Sequence, residues 1–492
     1  MSTDYSRTIR LASRASDQEP TALESRIQAT DVLVSIDPDE PAAALTVEVV
    51  VANLRRLPVR LWLDSRGGRA QVGPKLLERL QSLAAGIDPD RELRVGRPSD
   101  PTVHVHVGTG ATSAAASGAP DGHGTRIRPH GSHFPRTLAP GTGLGAVLTG
   151  AMLSAEAFKG VVGVAANRRA APHPIDFCPV SLGEPASDPP APLPHLDRVA
   201  LVGAGAIGTG ITLILQGLGA HGAMTVVDPQ VFEEPNVTTY SLGTMADATT
   251  RLAKVDLVAR ELPDVDVQRL VGTAHDLVAG IDDRTLLMPT VVLGAVDSIA
   301  ARHEIASIHA ARTFDGSTGG AAGTTLSLAE ALPHGPCLRC YYPAKAAGGP
   351  STEQQVAHLT GISLSRIARG QDLITEADLA HVDPKHREVV RSQIGRPICG
   401  LARALGLTGA VDEYRPSAAF VAQQAAALVV GALIRSRSPA FIGAQLDVEY
   451  DAMFGPQKGM TAGRVPNPLC RCQTSADLIE QVREQRGVVR RL

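Results

Sequence analysis

Three groups of side chains in this sequence have the types and spacing to do chemistry. The first runs from Val199-Ala200-Leu201-Val202 into Gly203-Ala204-Gly205-Ala206-Ile207-Gly208 and is followed, about 20 residues on, by Val226-Val227-Asp228. Glycines let the backbone turn sharply and approach a phosphate, and a helix starting just after the turn offers unpaired N–H groups to anionic oxygens. An acid ending the next strand can accept hydrogen bonds from ribose hydroxyls. The stretch reads as a nucleotide site, with a glycine-rich turn in an unrelated sheet as the alternative. The second group is Cys337-Leu-Arg-Cys340 with Cys470-Arg-Cys472. Together the two pairs can complete a closed, structural tetrahedral zinc site that clips the C-terminal segment to the sheet; a disulfide or unrelated free thiols is the other reading. The third is Cys399, flanked by Arg396 and Arg403 near a helix start, where a thiol can be acidified into a nucleophile or can simply be buried.

These residues need elements to hold them. An apolar run from Ile211 to Leu218 has helical length, Ala253 to Leu262 is amphipathic, and Val265 to Val271 reads as a strand. Thr290-Val291-Val292-Leu293-Gly294-Ala295-Val296-Asp297 is a buried strand delivering an acid at its C-terminal end, followed by a helix with Arg302. Residues 344–412 lack strand runs and read as a helical insertion, and Pro416 to Ile434 as a helix of small residues. Upstream, residues 1–40 read as a loosely held start, Leu45 to Val51 and Val59 to Leu63 as strands, and Lys75 to Leu83 as a helix. Thr102 to Val107 alternates, which puts His104 and His106 on one strand face; a metal site there is the less favoured reading. The stretch from Gly143 to Lys159 is another small-residue helix. The Pro-rich stretch 172–195 divides an N-terminal α/β domain, 1–171, from a second domain, 196–480. The expected fold is α/β: a doubly wound, mostly parallel Rossmann-like sheet with a helical insertion and a zinc clip, preceded by a smaller α/β domain.

Composition narrows the classes of partner. With 47 basic and 50 acidic residues, no charge excess points to nucleic acid or an anionic membrane. The polar opening lacks the apolar centre of a signal peptide and no later run reads as a membrane span, so a cytoplasmic protein is expected.

Taken in order, these motifs resemble the ThiF/MoeB/HesA adenylyltransferases, the catalytic fold of ubiquitin-activating enzymes, over about residues 196–475. Gly203, Gly205, Ala206 and Gly208 match that family's nucleotide loop, Asp228 its ribose acid and Asn236 its asparagine. Lys254 matches its lysine, Asp297 with Arg302 its late acid and arginine, and the four paired cysteines its zinc ligands. The resemblance implies ATP, magnesium at Asp297, triphosphate contacts from Lys254 and Asn236, and a catalytic cysteine in the insertion, which favours Cys399. The implied reaction is adenylation of the C-terminal carboxylate of a ubiquitin-like or sulfur-carrier protein or peptide, with thioester transfer as a further step. A catalytically inactive scaffold and a NAD-dependent oxidoreductase are the alternatives. Thr239-Tyr240 stands where the family has Arg-Gln, so Arg251 substitutes, the nucleotide is held differently, or adenylation is lost. The first domain is read either as a degenerate copy of the same fold, which would make an internal pseudo-dimer in place of a homodimer, or as an unrelated α/β domain.

Overall fold

The computed structural model describes residues 3–40, 42–64, 72–110, 113–163, 173–186, 195–319, 323–332, 335–343, 352–369, 372–396, 398, 401–405, 418–437, 446–457 and 460–487. The chain begins with helices α1 (Ser6–Ser16) and α2 (Pro20–Gln28), then β1 (Asp31–Ile36), α3 (Ala43–Arg55), β2 (Arg60–Asp64), α4 (Pro74–Ile87) and β3 (Arg94–Val95). Strands β4 (Val103–Val107), β5 (Ala116–Asp121) and β6 (Gly124–Pro129), helix α5 (Gly143–Val162) and β7 (Ile175–Phe177) complete a first sheet, ordered β3-β2-β1-β4-β5-β6-β7. A second set follows: β8 (Leu196–Val202), α6 (Ala206–Gly217), β9 (Gly222–Val227), α7 (Glu234–Val237), α8 (Met245–Thr249), α9 (Lys254–Glu261) and β10 (Val265–Leu270). It continues through α10 (Ala274–Asp282), β11 (Val291–Gly294), α11 (Ile299–Ala306), β12 (Arg312–Gly319), β13 (Thr325–Ala331) and α12 (Leu338–Tyr341). Short helices α13 (Thr352–Thr360), α14 (Leu364–Arg369), α15 (Arg387–Arg391) and α16 (Leu401–Ala404) come next, around a small apolar cluster of their own. The chain returns through α17 (Ala419–Arg435), β14 (Leu446–Asp451), β15 (Thr461–Gly463), α18 (Arg471–Thr474) and α19 (Ala476–Gln485).

The second sheet is ordered β10-β9-β8-β11-β12-β13-β14-β15. Its first five strands are parallel and the rest antiparallel. The first sheet has the same plan: β3, β2, β1, β4 and β5 run parallel, and β6 and β7 antiparallel. Counted from the start of each half, both sheets read 3-2-1-4-5-6-7, and only the second carries an extra edge strand. The helix before each seventh strand, α5 and α17, packs against its counterpart, with α3 flanking one and α6 the other. Apolar side chains from both halves therefore form one continuous core. Within it the Asn53 amide donates to Gln423 Oε1 at 2.7 Å and to Ser154 Oγ at 3.2 Å, joining α3, α5 and α17. Helix α5 is long and apolar enough to cross a membrane, but 94% of that stretch is buried inside the protein, as in the central helix of a packed core.

Three sequence expectations are corrected here. Leu45 to Val51 is not a strand but the middle of α3. Its β-branched residues favour extended backbone only weakly, and a run apolar on nearly every side, Glu48 apart, suits a helix buried between a sheet and α5. The start expected to be loosely held, residues 1–40, is packed over 3–40: Leu11, Leu23 and Ile27 are fully buried and β1 lies inside the first sheet. The expected linker 172–195 contributes β7, whose register with β6 pairs Phe177 with Thr125.

Candidate active site and cysteine centre

The glycine turn lies at the carboxyl edge of the second sheet, where β8 and β11 both end. Gly203 has φ +98°, and a Cβ there would stand 2.5 Å from the Ala295 carbonyl oxygen, so only glycine lets the turn pass against β11. A Cβ on Gly208 would meet the Gly203 carbonyl oxygen at 2.1 Å, which is how closely the first turn of α6 packs on the loop. Gly205 starts α6 with no side-chain cap. The N-terminal N–H groups of that helix are thus available to an anion.

Asp228, one residue beyond β9, is 6% exposed. Its Oδ2 accepts the Ala204 N–H and its Oδ1 the Gln230 N–H, both at 2.8 Å, so the acid itself braces the turn. Burial pushes its pKa up, Lys254 opposes this, and the negative charge of Asp297 adds to it. Lys254 opens α9 and is 3% exposed. Its ammonium donates to Gln230 Oε1 at 2.6 Å and to the Tyr240 hydroxyl at 2.7 Å, which takes up two of its three donors. Burial works against that charge, but Tyr240, Asp228 and Asp297 outweigh it and the pKa is raised. Lys254 is thus a cation at neutral pH. Asp297 is exposed beyond the end of β11, and its field is felt by Asp228, Lys254 and Arg302 alike. The loop carrying it is tied down by Arg302, which donates to the Val296 carbonyl at 2.8 Å and to Asp315 Oδ2 at 2.7 Å.

Asn236 is buried in α7, where its Oδ1 accepts the Glu233 N–H at 2.9 Å in a capping box. Its amide oxygen therefore has a structural task in addition to any ligand. Thr239 is fully buried, its hydroxyl directed back to the Asn236 carbonyl at 3.4 Å. Tyr240 instead enters the site, its hydroxyl 3.5 Å from where a Gly205 Cβ would be. Arg251 pairs with Glu233 at 3.1 Å, both side chains well exposed. Sequence reasoning missed Gln230 and singled out Tyr240 only as a departure; neither sits in a glycine, acid or cysteine pattern, and only packing brings both to Lys254.

The four paired cysteines converge. Their Sγ atoms all lie within 4.8 Å of one another, Cys337 to Cys470 at 3.6 Å and Cys340 to Cys472 at 3.5 Å. A disulfide needs about 2.05 Å. Zinc–sulfur bonds of about 2.3 Å set tetrahedral edges of about 3.8 Å, so the donor set fits a zinc ion. The Asn467 N–H and the Gln473 amide point at Cys340 Sγ and Cys472 Sγ at 3.5 and 3.4 Å, donors suited to thiolates. Burial pushes Cys337 well above its ordinary range, and a dication would reverse that. Cys399 lies outside the described residues. The two histidines of β4 meet at one hydroxyl: His104 Nε2 and His106 Nδ1 both lie against Ser35 Oγ, at 2.8 and 2.9 Å.

Residues 193–472, more than half of the chain, match the ThiF family. No curated protein matches the chain. Similar solved structures include Escherichia coli MccB with MccA-N7isoASN, at 13% identity and TM-score 0.34 over 56% of this chain and 66% of that one. MccB with AMPCPP and MccA gives 13% identity and TM-score 0.32 over 56% and 65%. PaaA gives 16% identity and TM-score 0.29 over 54% and 72%. The chain spans just under two thirds of the MccB chains it matches.

Proposed function

The chain belongs to the ThiF family, and from that premise we propose that it uses ATP and magnesium to adenylate a carboxylate at the end of a peptide or a small ubiquitin-like or sulfur-carrier protein. In this reaction a carboxylate oxygen attacks the α-phosphorus, the bond to the bridging oxygen breaks, and pyrophosphate leaves with an acyl adenylate behind it. Negative charge accumulates on the phosphates, so preorganised donors are what the step needs. The turn Gly203–Gly208, with Ala206 and the start of α6, would take the phosphates and Asp228 the ribose. Lys254 would stabilise the triphosphate, with Asn236 beside it. A magnesium ion at Asp297 would neutralise phosphate charge. Asp297 suits it, being an exposed carboxylate whose charge reaches Lys254.

The observation that carries this reading is that Asp228 braces the glycine turn through the Ala204 N–H and that Lys254, bonded to the Tyr240 hydroxyl beside Gly205, stands with it at an uncapped helix start. The test is ATP–pyrophosphate exchange in the presence of candidate carboxylate-terminated peptides and carriers. Exchange with one of them is expected, and ATP binding with no exchange would favour the scaffold reading that Thr239 and Tyr240 motivate. Transfer to Cys399 is the finer step: Cys399→Ala should keep exchange and lose a thiol-sensitive conjugate. Zinc at Cys337, Cys340, Cys470 and Cys472 would be structural, since four thiolates leave no open position.

We read the first half as a degenerate copy of the adenylation fold, which makes the chain an internal pseudo-dimer. The shared strand order and the packing of α5 on α17 support this.

A further inference from the structure

One buried cation from the first half reaches the edge of the candidate nucleotide site. Arg56, at the C-terminus of α3, is 2% exposed, and no carboxylate among the described residues pairs with it. Its Nε donates to the Val237 carbonyl at 2.9 Å and its Nη2 to the Ser241 carbonyl at 3.2 Å. Those two carbonyls bracket Thr238, Thr239 and Tyr240, and the Tyr240 hydroxyl, with Gln230 Oε1, holds the Lys254 ammonium. The same segment is held from the first half a second time, by the Thr238 hydroxyl donating to the Asp4 carbonyl at 2.9 Å. Beneath it, Ala52 and Ile87 of the first half share an apolar cluster with Phe232, Val237 and Tyr240 of the second. Burial alone pushes the Arg56 guanidinium down, to about 9. A charge kept in so unfavourable a place, its Nη1 without a hydrogen-bond partner among the described residues and its other nitrogens bonded to carbonyls of the opposite half, is a costly way to fasten an ordinary loop.

We propose that Arg56 is a positioning residue for the nucleotide site: it fixes Val237–Ser241 from the opposite half and, through the Tyr240 hydroxyl, sets where the Lys254 ammonium stands. The planar fork of arginine suits this, since two nitrogens at fixed separation bracket two carbonyls, which a lysine ammonium cannot do in the same way. The nucleotide site is then assembled only when the halves are docked. The assignment rests on the adenylation reading for its function, but its physical content can be read without turnover.

The experiment uses the full chain, with hydrogen exchange at 237–241 and calorimetric binding of ATP with magnesium as separate readouts. In Arg56→Ala, those amides should exchange at least tenfold faster and ATP affinity should fall at least tenfold. Added guanidinium ion should restore part of both, and Tyr240→Phe should weaken ATP without loosening the segment. Arg56→Lys should fall between wild type and the alanine variant, and it carries the test if the alanine variant fails to fold. Unchanged protection at 237–241 together with ATP affinity within twofold of wild type, in either Arg56 variant, overturns the proposal. An unmodified chain that binds ATP but exchanges no pyrophosphate with any acceptor overturns the adenylation reading instead, and leaves the Arg56 measurements standing.

Discussion

The two halves of this molecule use one strand order and end in opposite chemistry. At the carboxyl edge of the second sheet the chain offers a glycine turn, an uncapped helix start and a buried lysine. At the equivalent edge of the first sheet β1 runs into Asp37-Pro38-Asp39-Glu40, and Asp37 and Glu40 spend themselves on their own protein. Asp37 Oδ2 accepts the Gly110 N–H at 2.7 Å and meets His106 Nε2 at 3.1 Å, while Glu40 Oε1 accepts the Thr109 N–H at 2.8 Å. Burial works against the Asp37 charge, but the contacts with His106 and Gly110 hold its carboxyl below the usual range. Carboxylates at this edge would repel a triphosphate. The difference teaches that two sheets can share a strand order without sharing a function: packing sets the order, and the loops at the strand ends decide what binds.

Removing Lys254 tests that contrast most severely. Lys254→Ala should lower pyrophosphate exchange by roughly 10²–10³-fold, the scale for deleting one preorganised electrostatic partner. Next is the cysteine centre. Cys337→Ser should reduce bound zinc, measured by elemental analysis, and lower the melting temperature by several degrees, as a loss of a few kcal/mol does in a domain of this size. A smaller effect comes from the first half's histidines. Burial first, then Arg97 and His106, push His104 from 6.5 down to about 4. A depressed histidine means that the fold prefers the neutral ring, so its contribution is complete above pH 6.5 and drains away as pH falls toward 4. Melting temperatures between pH 7 and 5 should therefore fall, and His104→Asn should flatten that slope. The smallest change is expected at the acids that stand where the second half has its glycine turn. Glu40→Ala should leave ATP affinity within about twofold and the stoichiometry at one nucleotide per chain; a second nucleotide, seen by calorimetry, would erase the contrast.

Some of this was legible in residues close together along the chain. Gly203 to Gly208 followed by Asp228 announces a strand, a tight turn and a helix start, because turn chemistry and apolar periodicity are local. The two cysteine pairs could be read from their spacing, since each pair is a short knuckle. What could not be read is where long-range packing overrules a local preference. The valines of α3 look extended in isolation, and only burial on nearly every side makes them a helix. The strand order that the two halves share was open to the sequence only as one of two readings, because it lies in backbone pairing and not in side-chain motifs.

The sequence by itself determined that one half carries a glycine turn between a strand and a helix, that the fold is α/β, and that four thiols come in two close pairs. Tertiary structure alone decided that Tyr240 and Gln230 hold Lys254, that Arg56 reaches across to the segment beside them, and that α5 and α17 join two sheets of one plan. The reason is physical. Turns and periodicities arise from neighbours along the chain, whereas a buried cation takes its partners from whatever the folded core brings within 3 Å or so of it.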